Sequence, residues 1–436
     1  MSKVYFMNDR STSPQESLVA KMLTLFETAG FDDIIKPGDT VAIKLHMGEY
    51  NNTAYIRPVY VRALVERVKA LGGDPMVVDT TTLVAGPYIS RATALDYLKT
   101  AERNGFTPAS MGCPVIIADG YLGADDVRVD LPEGVILKEQ YVASAIALSD
   151  VMIALSHFKG HPMGPYGGAM KNIGVGCASK RGKFCLHLSK HPKWGLENRP
   201  FDPSICKGRS CPTSSLCESV CPQDCFSLNG SSIEWDSSRC ISCFGCLLVV
   251  TCGILGFPDG YFEATAATIV DSARAVVKTF GEKKIGFLNL ALDIAPWCDC
   301  IGFSDRPLVP NIGVFASFDP VALDAACVQK VQETAGLPGS VAEDNGVLEP
   351  GTHKFTACSS FGGIGEEIPL NTGVMNGLGS KEFELVEVSP ASDNGKFVYP
   401  AEICGPKFNK LFNISPVVPE SGFKRVSDYD FTTLED

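Results

Sequence analysis

Apolar positions along this chain alternate between short continuous runs and longer stretches with helical spacing. Thr40-Val-Ala-Ile-Lys-Leu-His46 is a β-type run that follows the turn signal Pro37-Gly38-Asp39. Arg57 to Leu71 then reads as a helix, with Pro58 suited to its first turn and Gly72-Gly73 as its stop. Met76-Val-Val-Asp79 is the next apolar strand, closed by a threonine run, and Ser90 to Thr100 is again helical. Val151-Met-Ile-Ala-Leu155 is apolar without interruption, as expected of a strand buried on both faces. Alternation of this kind predicts an α/β fold with a mostly parallel sheet covered by helices.

The rhythm stops near residue 200 and resumes near 261. Ala264 to Thr279 is a predicted helix, Lys284 to Leu290 and Asn311 to Ala316 are strands, and Val321 to Glu333 is a helix. The intervening stretch is rich in cysteine, serine and glycine and poor in periodic apolar residues. The expected organisation is therefore an α/β body in two segments, 1–200 and 261–436. Between them lies an inserted ferredoxin-like (α+β) module at 201–260. Beyond about residue 336 the chain is rich in Gly, Pro and Asn, and periodicity predicts no elements there.

Composition narrows the function classes. The 436 residues are 45% hydrophobic and 20% charged, as in ordinary globular domains. A net charge of −12 argues against a nucleic-acid partner and against an anionic membrane surface. The first residues lack a basic start followed by an apolar stretch, so no signal peptide is expected. No apolar run approaches the roughly 18 residues that span a bilayer, and the expected location is the cytoplasm. Self-association is left open.

Cysteine usage changes the picture most. Nine of the 17 cysteines fall between Cys206 and Cys252. In a reducing compartment such clustering points to metal or redox chemistry rather than to disulfides. Cys240, Cys243 and Cys246 stand at two-residue spacing, followed by Cys252-Gly253. That pitch lets one loop wrap three irons of a cubane. The first group is looser: Cys206, Cys211, Cys217 and Cys221-Pro222. In two-cluster ferredoxins the last cysteine of each group ligates the other cluster. On that pattern Cys221, Cys240, Cys243 and Cys246 hold one [4Fe–4S] cluster. Cys206 or Cys211, with Cys217 and Cys252, belongs to a second. The spacing departs from the usual, so Cys225 is a substitute ligand and a three-iron cluster an alternative. A pair of zinc sites is the competing reading. Apolar residues between Leu247 and Phe257 are expected to bury the clusters and tune their potential.

In the body, the densest polar stretch runs from Ser156 to Lys183, directly after the strand at 151–155. Loops beyond the carboxyl ends of parallel strands are where α/β sheets bind ligands. His157, His161 and Lys171 are the candidate catalytic groups. Lys159, Tyr166, Gly167, Gly168, Asn172, Gly174, Ser179, Lys180, Arg181 and Lys183 are candidate cofactor contacts, the glycines admitting an anion and the cations balancing it. The stretch matches neither the dinucleotide fingerprint nor a P-loop, and a flexible glycine-rich loop is the plain alternative. His46 and Glu49 lie at the end of another predicted strand and join the candidates. Trp297-Cys298-Asp299-Cys300 is a further constellation of free thiols or ligands. Asp319-Pro320 reads as a helix cap rather than a catalytic group, with Asp324 inside that helix.

Lys44-Leu-His-Met-Gly-Glu49, His157-Phe-Lys-Gly-His161, Gly167-Gly-Ala-Met-Lys-Asn-Ile-Gly174, Cys177-Ala-Ser-Lys-Arg-Gly182, the Cys-Asp-Cys at 298–300 and Ser317-Phe-Asp-Pro-Val-Ala-Leu-Asp324 resemble a widespread domain-of-unknown-function family. Its members are often described as uncharacterised iron–sulfur center proteins, many with an inserted ferredoxin-type domain, largely from anaerobes. The resemblance covers most of residues 1–335 and implies architecture more than substrate. It suits a low-potential redox role. The leading expectation is an iron–sulfur oxidoreductase passing electrons between ferredoxin, or another redox protein, and a small-molecule hydride carrier. A flavin or deazaflavin coenzyme bound near His157–Lys183 fits that role, because clusters move single electrons and hydride carriers move pairs. The alternatives are a non-enzymatic electron carrier or cluster-handling protein, and a metal-dependent racemase or isomerase with structural clusters.

Overall fold

The computed structural model describes residues 1–83, 89–281, 284–358, 361, 363–389, 419 and 421–431. Eight strands form one sheet: β1 (Ser2–Asn8), β2 (Thr40–Lys44), β3 (Asp74–Asp79), β4 (Val115–Ile117), β5 (Val151–His157), β6 (Ile285–Ala291), β7 (Gly313–Ser317) and β8 (Phe383–Glu387). Their spatial order is β8-β1-β7-β6-β5-β2-β3-β4. Only β7 runs against its neighbours, pairing antiparallel with both β1 and β6. The sheet is mostly parallel, as predicted from the alternation of elements.

Helices cover both faces. On one side lie α1 (Leu18–Thr28), α2 (Pro58–Ala70) and α3 (Ala94–Arg103). On the other lie α4 (Ala169–Gly176), α5 (Lys180–Leu186), α6 (Tyr261–Phe280), α7 (Pro320–Glu333) and α8 (Glu367–Met375). Strand β5 is buried along its whole length. Its Val151, Ile153 and Leu155 join one apolar layer, while Met152 and Ala154 join the other. Each large side chain buried in this way contributes roughly 1.5–3 kcal/mol. That two-sided burial is why its sequence lacks polar alternation.

Local signals explain most boundaries. Helix α7 starts where Asp319 accepts hydrogen bonds from Val321 N and Ala322 N, with Pro320 in the first turn. Helix α3 begins four residues later than predicted. Thr93, not Ser90, caps it by accepting from Asp96 N. Ser90 is instead held by the Glu49 carboxylate. Strands β1 and β8, paired in parallel at the edge, and helix α8 fall outside the elements that periodicity predicts.

Residues 201–260 have an apolar cluster of their own, built on Phe226, Leu228, Ile233, Val249, Val250 and Ile254 with several cysteines. Their only regular sheet among the described residues is a hairpin, Phe226–Asn229 paired with Ser232–Trp235. The chain enters and leaves this region side by side, with Phe201 bridged to Leu255 and Gly256 N donating to Pro200 O. No helix among the described residues is long and apolar enough to cross a membrane.

Candidate functional site

Connectivity places a crevice between β2 and β5. From β2 the chain proceeds outward to β3 and β4, then returns to β5 on the other side of β2. Ligands of open α/β sheets bind at such a switch point, beyond the carboxyl ends of the strands. A cavity of about 1030 Å³ opens there, lined by the ends of β2, β3 and β5, by α4 and α5, and by residues 244–257 of the cysteine-rich region. Asn172 of α4 ties the two strand ends together. Its amide donates to Leu155 O at 3.1 Å and Ser156 Oγ at 3.0 Å, and its carbonyl accepts from Lys44 Nζ at 2.9 Å.

The cavity floor is cationic, and most of its charges are paired. Lys44 meets Asp79 at 3.0 Å, Arg91 meets Glu49 at 2.9 Å, and Lys159 meets Asp299 at 3.0 Å. All six side chains are almost fully buried. Asp299 also faces His157 Nδ1 at 2.8 Å, while His157 Nε2 faces Leu292 O at 2.7 Å. Both ring nitrogens therefore face acceptors, which calls for a proton on each, and His157 is a strut rather than a base. Burial opposes ionisation of Asp299, but the neighbouring His157 and Lys159 charges hold its carboxyl far below the usual range.

Among the described residues lining the cavity, His46, Lys171 and Lys183 have capacity for a ligand, as does His187 through its unpartnered Nδ1. His46 Nδ1 accepts from Gly48 N at 2.9 Å, which fixes the neutral ring's proton on Nε2. Nε2 is buried and has no partner among the described residues. Burial and the Arg91 charge keep this ring neutral, well below the ordinary histidine value. Lys171, which also lines the cavity, makes no hydrogen bond or ion pair among the described residues. Burial, then the Lys159 charge, lowers its ammonium to about 7, with Asp299 acting in the opposite direction. Lys183 has no carboxylate partner and donates to Thr80 Oγ1 at 2.5 Å and Ala178 O at 2.6 Å. Burial lowers it to about 8.

The glycine-rich stretch folds differently from an anion-binding loop. Two of its glycines are packing positions. A Cβ on Gly168 would lie 2.2 Å from Asp324 Oδ1, and one on Gly174 would lie 2.2 Å from Ile269 O of α6. The first amides of α4 are already occupied, because Asp324 accepts from Ala169 N at 2.8 Å and Met170 N at 3.0 Å. Ser179 caps α5 and bonds Asp126. Lys180 reaches Thr82 O and Ala92 O. Arg181 is exposed, pairs with Asp126 and stacks on Tyr141. Tyr166 is buried against Phe158 and Phe355, and Gly167 lies on the cavity wall.

His161 is buried on that wall, its Nδ1 facing Met163 N and Gly164 N. Its imidazole and the sulfurs of Cys298 and Cys300 lie within 4.8 Å of one another, a group tight enough for one metal ion. In this structure the two sulfurs are joined as a disulfide.

In the cysteine-rich region the thiols gather in two sets. Burial pushes Cys243 up, the Gly245 amide opposes it, and the neighbouring Cys246, Cys221 and Cys240 add to the rise. Burial pushes Cys217 up as well, with Cys252, Cys211 and Cys206 as its neighbours. The first set and Cys225 line one small enclosed cavity. Arg199, 5% exposed, points Nη2 at Cys246 Sγ at 3.2 Å, and its Nε and Nη1 have no hydrogen-bond partner.

Sequence reasoning named Glu49, Lys159 and Asp299 but not as ion-pair members, and it missed Asp79, Arg91 and Arg199. Asp79 ends an apolar strand and Asp299 sits between two cysteines, positions that carry a weak signal. Arg91 and Arg199 carry none, because only the fold brings them to Glu49 and Cys246.

Fold and cavity together define an α/β protein with a cationic cavity at the topological switch of a mostly parallel sheet. The chain belongs to the family described as domain of unknown function DUF362, whose model matches residues 41–329. No curated protein matches it. Among solved structures it is similar to the lactate racemase apoprotein from Thermoanaerobacterium thermosaccharolyticum, at 12% identity and a TM-score of 0.39. The match covers 78% of this chain and 59% of that one, so the chain spans under two thirds of that protein's length.

These findings correct the expectation of a ferredoxin-linked oxidoreductase. The family whose model matches is described only as a domain of unknown function and gives this chain no oxidoreductase activity. The physical reason is visible in the body. The stretch expected to cradle a coenzyme tail spends its amides on Asp324 and its Lys180 and Arg181 on internal partners.

Proposed function

We propose that the protein is an isomerase-type catalyst that moves a proton on and off an organic anion held in the switch-point cavity. The observation that carries this reading is the pair of uncommitted groups on the floor, His46 Nε2–H and the Lys171 amine. The surrounding cations are balanced by their own carboxylates, so Lys183 and the protonated form of Lys171 are the cavity amines that offset a ligand's charge. A neutral imidazole N–H suits a carboxylate oxygen. A lysine that titrates near neutrality is matched to proton abstraction at physiological pH. Lys171 takes the proton from a carbon next to the carboxylate, and the resulting ammonium returns it, so the reaction is balanced without an added reactant.

We further propose that the insert is ferredoxin-like and holds two [4Fe–4S] clusters, one on Cys221, Cys240, Cys243 and Cys246, the other on Cys206, Cys211, Cys217 and Cys252. A buried guanidinium with two unsatisfied nitrogens beside Cys246 fits an anionic cluster there. Bound clusters supply one-electron chemistry or rigidity. The alternative of an electron carrier rests on this module alone and asks nothing of Lys171.

Anaerobically purified protein in deuterium oxide, given a panel of carboxylic acids bearing an α-hydrogen, tests the first reading. Deuterium incorporation read by mass spectrometry is expected with the wild type. It should fall about 10²–10⁴-fold in Lys171→Met, the usual worth of a general base. No incorporation with any acid, or equal incorporation in the variant, contradicts it.

A further inference from the structure

The cavity has two chemically distinct ends, and only the floor is used by the proton-transfer reading. Toward the mouth a continuous set of rings crosses from the cysteine-rich region to the segment after β6. Phe257 lies 6.0 Å from Phe361, Phe361 lies 6.1 Å from Trp297 in an edge-on arrangement, and Trp297 lies 5.8 Å from Phe303. Phe262 stacks on Phe361 from behind at 5.8 Å. Phe303 is 50% and Phe361 41% exposed, so both rings present apolar surface at the cavity. Aliphatic side chains such as Leu247, Val250 and Ile301 complete the wall.

Size points the same way. A heavy atom takes at most about the 30 Å³ of a liquid water, so a six-atom hydroxy acid fills no more than roughly a fifth of the 1030 Å³. The remaining space is lined mainly by carbon. Rings that meet edge-on and offset offer both faces and edges to another ring, a preference worth more than buried area alone.

We infer that the substrate is an aryl carboxylate: its carboxylate on the His46–Lys171 floor, its ring system against Trp297, Phe361 and Phe257. The inference rests on the anion-binding reading of the same cavity and names its substrate class. It also gives the cysteine-rich module a part in substrate selection, because Phe257 and Leu247 come from that module or its exit.

Isothermal titration of the full chain with acetate, phenylacetate and 4-biphenylylacetate, beside the corresponding primary amides, tests it. Octanoate and tetradecanoate serve as chain-like controls. Affinity should rise about tenfold for each added ring, as burial of one ring's apolar area predicts, and by less for alkyl chains of matching carbon count. Phe361→Ala should remove most of the gain for the biphenyl acid and leave acetate unchanged. Equal affinity across the three acids overturns the substrate class while leaving the anion reading intact. Amides that bind as tightly as their acids overturn the anion reading but keep the aromatic wall. Alkyl acids that match or exceed aryl acids overturn the aryl assignment.

Discussion

The body and the cysteine-rich insert bury charge in opposite ways. In the body, buried ions come with partners: Lys44 with Asp79, Arg91 with Glu49, and Asp299 with both His157 and Lys159. The polypeptide alone completes these pairs; on the cavity wall His46 Nε2 and His187 Nδ1 have no hydrogen-bond partner among the described residues, and Lys171 lies outside any ion pair among them. At the entry to the cysteine-rich region, the buried Arg199 guanidinium lies over the Trp235 ring and beside Cys246, with two nitrogens lacking a hydrogen-bond partner among the described residues. The difference teaches which parts of the chain are finished by protein and which await something else. In the cysteine-rich region the thiols gather around a cation whose hydrogen bonds are incomplete, the arrangement on which the proposed clusters rest. In the body the ion pairs are complete, and the spare polar groups line a cavity.

The largest effect that sharpens this contrast is in the insert. Cys246→Ser should lower iron in anaerobically prepared protein from about eight per chain to about four. Proteolysis should then cut within 201–260 while the body stays intact. Iron unchanged at eight, or zinc in place of iron and sulfide, would break the cluster assignment. In the body, Asp299→Leu leaves His157 and Lys159 buried without a counter-charge, and should cost about 3–5 kcal/mol in urea unfolding. A loss below 1 kcal/mol would show that the network is not what the body relies on. The smallest effect is at a site unrelated to either region's chemistry. Thr93→Ala removes the cap of α3 and should cost about 1 kcal/mol by the same measurement, with iron content unchanged.

Much of the body was legible in the sequence because its elements obey single local rules. β5 is uniformly apolar because both its faces are covered, and α7 announces its start with Asp319-Pro320. The α3 start was misplaced because Ser90, an ordinary capping residue, is recruited by Glu49 from 41 residues away. β1 and β8 were not read because β1 mixes buried, half-exposed and exposed positions and β8 has only half-exposed and exposed ones, neither with a clean period. In the site, the placement of His46 and Lys159 beyond strand ends, and of Lys171 in the stretch that follows β5, was readable from the order of strands. Their roles were not. Whether a histidine is a strut, like His157, or a free donor, like His46, depends on Leu292 O, Asp299 and Gly48 N, which only the folded chain brings near. The glycines at 168 and 174 look the same in sequence whether they admit an anion or a helix, and here they admit Asp324 and α6.

The pH dependence of deuterium exchange into a bound carboxylate tests the central claim most directly. Burial and Lys159 lower Lys171 from the usual lysine value to about 7, so the amine that accepts the proton is scarce below that pH and predominant above it. Exchange under saturating acid should therefore rise through about pH 7 and level off, and Lys171→Met should abolish the rise. A profile that is flat from pH 5 to 9, or one that falls through 7, would contradict the assignment of Lys171 as the proton carrier.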